Sequence, residues 1–542
     1  MEYIQNYNPL GNLWLSALVA VLPIVTFFVC LVWLKLKGHV AGFLTLLLAV
    51  LIAIFIYKMP VMYAGSSVVY GFLIGLWPIS WIIIAAIFLY KISVKSGYFD
   101  ILRDSIMSIT PDHRIQVVLI GFCFGAFLEG AIGFGGPVAI TAALLAGLGL
   151  RPLHAAGLCM IANTAPVAFG AVGIPITAMA ALTNVSALEI SGMVGTMIFP
   201  LSIIIPFFLV LLMDGFKGIK ETWPVVIVTA LSFALTQIFF SKTFGPELPD
   251  IASAVVSIVA TVVFLKFWNP KNIVRFDDLK AEDFKGNHHS FGKILLAWSP
   301  FVILIIMIVI WTLPGFKAFF GKDGALAFTN LSFKFDNLAQ IFETQPVKAQ
   351  NTAVKSVFSL PLIATVGTLI FLTAIISILI FRVKVTEAVG TFVETINEMK
   401  YAILTIGIVL SFAYISNYSG ISASLGLALA QTGKAFAFFS PIVGWIGVFL
   451  TGSDTSSNLL FGGLQKITAG VLGVKEVIFL AANTVGGVVG KMISPQSIAV
   501  ACAAVGLVGR ESELFRYTVR YSIALVILIG IWVSVLAFFV FS

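Results

Sequence analysis

Apolar sequence long enough to cross a bilayer is interrupted at matching places in the two halves of this 542-residue chain, and this constrains the fold more than any other feature. The first half reads GAFLEGAIGFGGPVAIT from Gly125 to Thr141, then MIANTAPVAFGAVGIPITAMA from Met160 to Ala180. The second reads GVFLTGSDTSSNLLFGG from Gly447 to Gly463, then FLAANTVGGVVGKMISPQSIAVA from Phe479 to Ala501. Laid together, Gly125, Phe127, Leu128 and Gly130 fall on Gly447, Phe449, Leu450 and Gly452, Ala162-Asn163-Thr164 on Ala482-Asn483-Thr484, and Pro175 on Pro495. The chain contains a duplicated unit. Glycine, proline, asparagine and charge inside lipid are costly unless the loosened backbone lines a protein-enclosed cavity, so paired interruptions mark a binding site between two repeats.

Composition sets the class. Hydrophobic residues make up 60% of the chain, charged ones 10%, and mean hydropathy is +1.07, whereas soluble domains carry roughly 25% charge. This is the composition of a polytopic membrane protein. The first apolar run, Leu13 to Leu34, lacks a basic front and a small-residue cleavage site and reads as a retained helix. Cys30, Cys123, Cys159 and Cys502 all lie in apolar segments and read as buried fillers. The formal charge of +8 does not imply nucleic acid, because the basic residues sit in short connectors without aromatic interleaving.

The expected fold is an all-α polytopic membrane protein of about twelve transmembrane helices plus two re-entrant hairpins, arranged as two inverted repeats with two broken helices. Continuous spans are expected at 13–34, 40–57, 66–90, 190–213, 222–241, 251–268, 294–313, 357–381, 400–417 and 518–541. Broken helices are expected at 155–181 and 476–503, and hairpins at 115–150 and 440–470. The organisation reads as N-terminal helices over 1–65, a first repeat over 66–213, linking helices over 214–356 and a second repeat over 357–542. The linking part holds a polar loop at 270–293 and a longer one at 314–356. Basic residues, among them Lys91, Lys95, Arg103, Arg114, Arg151, Lys280, Lys285 and Arg516, fall on one side if both termini are outside, and that side is the cytoplasm. The same assignment starts one hairpin inside and the other outside, so the repeats are inverted and their tips converge near the midplane.

The string FGAFLEGAIGFGGPVAITAALLAGLG with the following LCMIANTAPVAFGAVGIP resembles the signature of the bacterial lactate permease family, and GSDTSSNLLFG and AANTVGGVVGKMISPQSI extend the likeness into the second half. The resemblance implies uptake of L-lactate, D-lactate and glycolate by proton symport across the bacterial plasma (inner) membrane. That family in turn resembles a wider superfamily of inverted-repeat ion transporters, many of them dimers, which implies a possible homodimer in contact with membrane lipid.

A small hydroxycarboxylate needs a partner for its charge, donors for its oxygens and an apolar wall for its methyl group. Asn163, Thr164, Asn483 and Thr484 stand at the expected breaks, either as substrate or ion contacts or as caps on loosened backbone; Ser453 and Gly135 in the hairpins join them as candidate contacts. Glu129 and Asp454 are the carboxylates inside the hairpins and are the candidates for proton coupling. For Glu129 the other reading is a protonated acid bonded to a carbonyl. For Asp454 it is a counter-ion of Lys491. Lys491 has three readings: partner of the substrate carboxylate, permanent ion pair with Asp454, or a lysine reaching the interface.

His154 reads as interfacial, and His288 and His289 carry no metal-ligand spacing, so neither metal nor cofactor is expected beyond a coupling H+. Gly130, Gly133, Gly135 and Gly136 lack the strand and the Gly-Lys-Ser/Thr close of a phosphate loop, and no catalytic constellation supports an enzyme. A sodium-coupled carboxylate transporter and an uncoupled channel are the alternatives to proton symport.

Overall fold

The computed structural model describes residues 2–133, 135–275, 289–321 and 323–540. Most of the expected loop at 270–293, with Lys280, Lys285 and His288, lies outside the described residues.

Among the described residues nine helices are long and apolar enough to cross a membrane, or eleven if each of two bent pairs is one span. Two of the nine, His113–Ala131 and Gly433–Thr451, are hairpin arms that lie outside the expected twelve, and two features of the remaining helices make up the rest of the difference. Ala187–Thr243 is one run of 57 residues, about 85 Å at 1.5 Å per residue and far longer than a bilayer core. Asp214 (φ −135°) and Gly215 (φ 63°, ψ −157°) break it, giving the two spans expected at 190–213 and 222–241. In addition, Pro249–Leu265 and Val366–Phe381 are apolar helices of only 17 and 16 residues. The second is shorter than expected because Val357–Pro361 is a strand, and a short apolar run with β-branched residues and a proline does not declare its own secondary structure.

The fold is mostly helical, as expected, and carries a few short strands besides. Asn330–Lys334 pairs antiparallel with Val357–Pro361, and Tyr3–Ile4 pairs parallel with Ile341–Glu343, which also pairs with Thr352–Ala353. These strands tie the first residues of the chain to the 314–356 segment. Tyr3 deepens the tie by donating its hydroxyl to the carbonyls of Tyr57 and Ser419, each at 3.0 Å. At the far end of the helix run Val61–Lys95, Lys91 pairs with Glu394 (3.0 Å) and Glu398 (2.7 Å). Arg114, fully buried, joins Asp112 (2.8 Å), Asp214 (2.8 Å), Glu221 (2.7 Å) and the Asn272 carbonyl (2.7 Å). Lys91 and Arg114, two of the basic residues of the connectors, are thus held in ion pairs.

The two repeats run through the same elements in the same order. In the first, the amphipathic helix Tyr98–Met107 leads into a hairpin with arms His113–Ala131 and Gly136–Gly147, then a helix broken between Pro152–Ala162 and Val167–Thr183 with a bend of 63°. In the second, Ile421–Ala430 leads into arms Phe436–Thr451 and Asp454–Val471, then a helix broken between Glu476–Lys491 and Pro495–Ala504 with a bend of 40°. The arm His113–Ala131 is entirely buried, which no lipid-facing helix is. The four cysteines are free and buried.

Candidate functional site

Both hairpin tips and both helix breaks meet around one cavity of about 70 Å³. By the measure in which one water needs about 10–15 Å³, it has room for about six water-sized groups. Three helices begin at its wall. Gly135, in the left-handed conformation (φ 85°) that only glycine adopts without strain, precedes Gly136–Gly147. Ser453 caps Asp454–Val471 by accepting from the Ser456 N–H at 3.2 Å, and Ser494 caps Pro495–Ala504 by accepting from the Ser497 N–H at 3.2 Å. Each helix N-terminus carries about half a positive charge and unpaired N–H groups, so their convergence favours an anion. Val167, Ala171 and Val500 supply an apolar wall.

A buried ion pair crosses the cavity between the repeats. Glu129 Oε1 accepts from Lys491 Nζ at 2.7 Å, and Oε2 accepts from Asn163 Nδ2 at 3.1 Å. Glu129 is 2% exposed and Lys491 8%. Gly170 makes room for the carboxylate, since a Cβ there would stand 2.7 Å from Oε1. Of the readings weighed for Lys491, the pair with Asp454 is therefore corrected: its partner is Glu129. The reading of Glu129 as an acid bonded to a carbonyl is likewise replaced by a carboxylate held by two donors.

Asp454 lines the same cavity, and neither of its oxygens has a hydrogen-bond partner among the described residues. The side-chain oxygens of Asn163 and Thr164, at the break of the first helix, are also buried without partners. The second Asn-Thr pair behaves differently. Asn483 and Thr484 lie inside the unbroken run Glu476–Lys491, because the break falls at Met492–Ser494, and they do not line the cavity. Asn483 accepts from Gln465 at 3.1 Å and donates to Asn458 at 2.9 Å, while Thr484 exchanges bonds with Asn458 at 3.0 and 3.2 Å. Asn458 in turn donates to the Pro175 carbonyl at 3.1 Å. Asn483 and Thr484, expected as ligand contacts, instead spend their side chains within the second repeat, where they hold Asn458, and Asn458 is the residue that reaches the first repeat.

The L-lactate permease family model matches residues 16–540. The chain belongs to the L-lactate permease family. It is 54% identical over 555 residues to glycolate permease GlcA of Escherichia coli (strain K12), covering 100% of this chain and 99% of that one. It is 53% identical over 539 residues to the L-lactate permease of the same strain, covering 98% of both chains, and 49% identical to the L-lactate permease of Bacillus subtilis (strain 168), covering 100% and 99%. Among solved structures it is similar to MtrF of Neisseria gonorrhoeae, with 14% identity, a TM-score of 0.47 and coverage of 88% of this chain and 83% of that one.

Of the residues expected at the site of this family member, Glu129, Gly135, Ser453, Asp454 and Lys491 line the cavity and Asn163 reaches it through Glu129. Sequence reasoning missed Asn458, Gln465, Gln496 and Ser497. The signal for the first two was present: Asp454, Asn458 and Gln465 recur at helical spacing on one face of the arm. His154 is exposed, with its ring 5.8 Å from that of Tyr517, away from the cavity.

Proposed function

We propose that this multi-pass membrane protein is a proton-coupled symporter of L-lactate and related 2-hydroxymonocarboxylates, D-lactate and glycolate, in the bacterial plasma membrane with both ends of the chain outside. The observation that carries the reading is the buried Glu129–Lys491 pair at 2.7 Å, inside a cavity ringed by helix N-termini.

Without substrate, Glu129 and Lys491 neutralise each other, which is the condition for keeping either charge out of water. A carboxylate entering alone would set two anions against one cation. Protonation of Glu129 frees Lys491, and the substrate carboxylate takes its place, so the site holds the same net charge empty and loaded. One proton then accompanies each anion. The N–H groups and hydroxyls around Ser453 and Ser497 suit the remaining oxygens, and the wall of Val167, Ala171 and Val500 suits a methyl group. The names of the relatives and a cavity sized for about six heavy atoms favour substrates as small as lactate. One lysine leaves no cation for a second carboxylate. The sidedness rests on the basic residues of the short connectors, which fall on one side if both ends are outside.

A sodium-coupled carrier is the second reading, favoured by the unpartnered oxygens of Asn163, Thr164 and Asp454. Proteoliposomes given a pH gradient or a sodium gradient separately decide between them. Acid outside, with no sodium present, is expected to drive L-lactate accumulation; accumulation that follows sodium and ignores pH would overturn proton coupling.

A further inference from the structure

Of the titratable groups that line the cavity, Glu129, Asp454 and Lys491, the exchange of partners with the substrate uses the first and the last. Asp454 is left over. It opens the helix Asp454–Val471, is 4% exposed, and neither of its oxygens has a hydrogen-bond partner among the described residues. Its place is fixed all the same, because Oδ1 stands where a side chain on Gly487 would go. Gly487 and Lys491 are four residues apart in Glu476–Lys491 and so share one face, a turn apart. The carboxyl is therefore held near the lysine without bonding to it, and Lys491 Nζ is taken by Glu129 at 2.7 Å.

An ionised Asp454 is incompatible with an anion site of this kind. Empty, the cavity would set Glu129 and Asp454 against the single Lys491. Loaded, with Glu129 protonated, it would set Asp454 and the substrate against the same lysine. Either way one buried anion is left without a counter-charge. As the neutral acid, Asp454 keeps the balance in both states. The helix start favours an anion, but that attraction acts through free N–H groups, and none bonds to this carboxyl. The charged groups acting on it are Lys491 and Glu129.

A neutral carboxyl donates through its O–H and accepts at its carbonyl oxygen, and a hydroxyl likewise both donates and accepts. Lactate and glycolate carry a hydroxyl on the carbon next to the carboxylate, and its proton needs an acceptor. Three further polar side chains of the wall have their oxygens engaged: Ser453 Oγ accepts from the Ser456 N–H, Ser497 Oγ accepts from the Ser494 hydroxyl at 2.9 Å, and Gln496 Oε1 is packed onto Gly452. We propose that Asp454, as a neutral acid, is the residue that selects 2-hydroxy acids: its O–H donates to the substrate's 2-hydroxyl and its carbonyl oxygen accepts from it, so that both unpartnered oxygens are satisfied only when such a substrate is bound. A carboxylate without the hydroxyl leaves them unpaired, and a site built to bond a hydroxyl rejects analogues that lack it for this reason. This rests on the proton-coupled reading and adds which feature of the substrate the site selects.

The test uses full-length protein in proteoliposomes at equal pH on both sides. Exchange of labelled L-lactate is competed by unlabelled L-lactate or by propionate, which has the same carbons and no hydroxyl. Wild type should hold L-lactate at least tenfold more tightly than propionate; equal competition would overturn the proposal. Asp454→Leu should lose at least tenfold in apparent affinity for L-lactate while that for propionate changes less than threefold. Asp454→Asn, which donates and accepts but cannot ionise, should recover the preference. A preference kept in Asp454→Leu would overturn the proposal, as would equal loss of both substrates in a folded variant, or a preference lost in Asp454→Asn, which would make the charge the selective feature. If Asp454→Leu does not fold, Asp454→Ala carries the same expectation and the same refutation. Accumulation by wild type under a pH gradient without sodium is measured separately: its failure refutes the coupling, whereas the ratio of the two affinities judges Asp454 alone.

Discussion

Replacing Glu129 by glutamine isolates the exchange of partners on which the proposed coupling depends. Glutamine keeps the shape and an acceptor oxygen but carries no charge, so Lys491 loses the counter-charge it now holds at 2.7 Å while remaining 8% exposed. Breaking a buried pair by removing one partner typically costs about 3–5 kcal/mol, because the remaining charge is left uncompensated. A bound lactate carboxylate would compensate it again. The variant is therefore expected to be less stable than wild type when empty and to gain more thermal stability from lactate than wild type does. The proton count follows with a definite sign. In wild type the loaded site holds one more proton than the empty one, so affinity for lactate should fall as pH rises, by up to about tenfold per pH unit. In Glu129→Gln the slope should be near zero. Calorimetric titration of lactate into detergent-solubilised protein, in two buffers of different ionisation enthalpy, reads the number directly: one proton taken up per lactate for wild type and none for the variant. A pH-dependent affinity and an unchanged proton uptake in Glu129→Gln would refute the partner exchange.

The two asparagines of the duplicated motif should behave unlike each other. Asn163→Ala removes a donor to the Glu129 carboxylate at 3.1 Å, worth about 1.5–3 kcal/mol for a bond to a charged group, and should alter the pH dependence of lactate binding. Asn483→Ala breaks the Gln465–Asn483–Asn458 chain and should lower thermal stability with little change in that pH dependence; equal pH profiles for the two variants would contradict the assignment. Gly170→Ala would drive a methyl group to within 2.7 Å of Glu129 Oε1, and uptake should drop severely in a protein that still folds, as judged by size-exclusion chromatography beside transport.

What was legible in the sequence is what depends on local chemistry in an apolar solvent. Sixty per cent apolar residues require a membrane, and backbone there must bond within its own helix or line a cavity, so the doubled Gly, Pro and Asn-Thr interruptions located the hairpins and the first break. Buried charge is costly wherever the chain folds, which singled out Glu129, Asp454 and Lys491 before any contact was known. Partnership was not legible. Glu129 and Lys491 are 362 positions apart, and only the packing of one repeat's hairpin against the other's broken helix chose Glu129 over Asp454. Identical Asn-Thr strings diverged for the same reason: the helix stops at Asn163 but runs on through Asn483, where Asn458 and Gln465 occupy every polar group. The strands at 330–361 were hidden because apolar runs do not reveal their pairing partners. Composition and periodicity act within a few turns of chain, whereas the site consists of contacts between repeats, and those exist only once both repeats have folded onto each other.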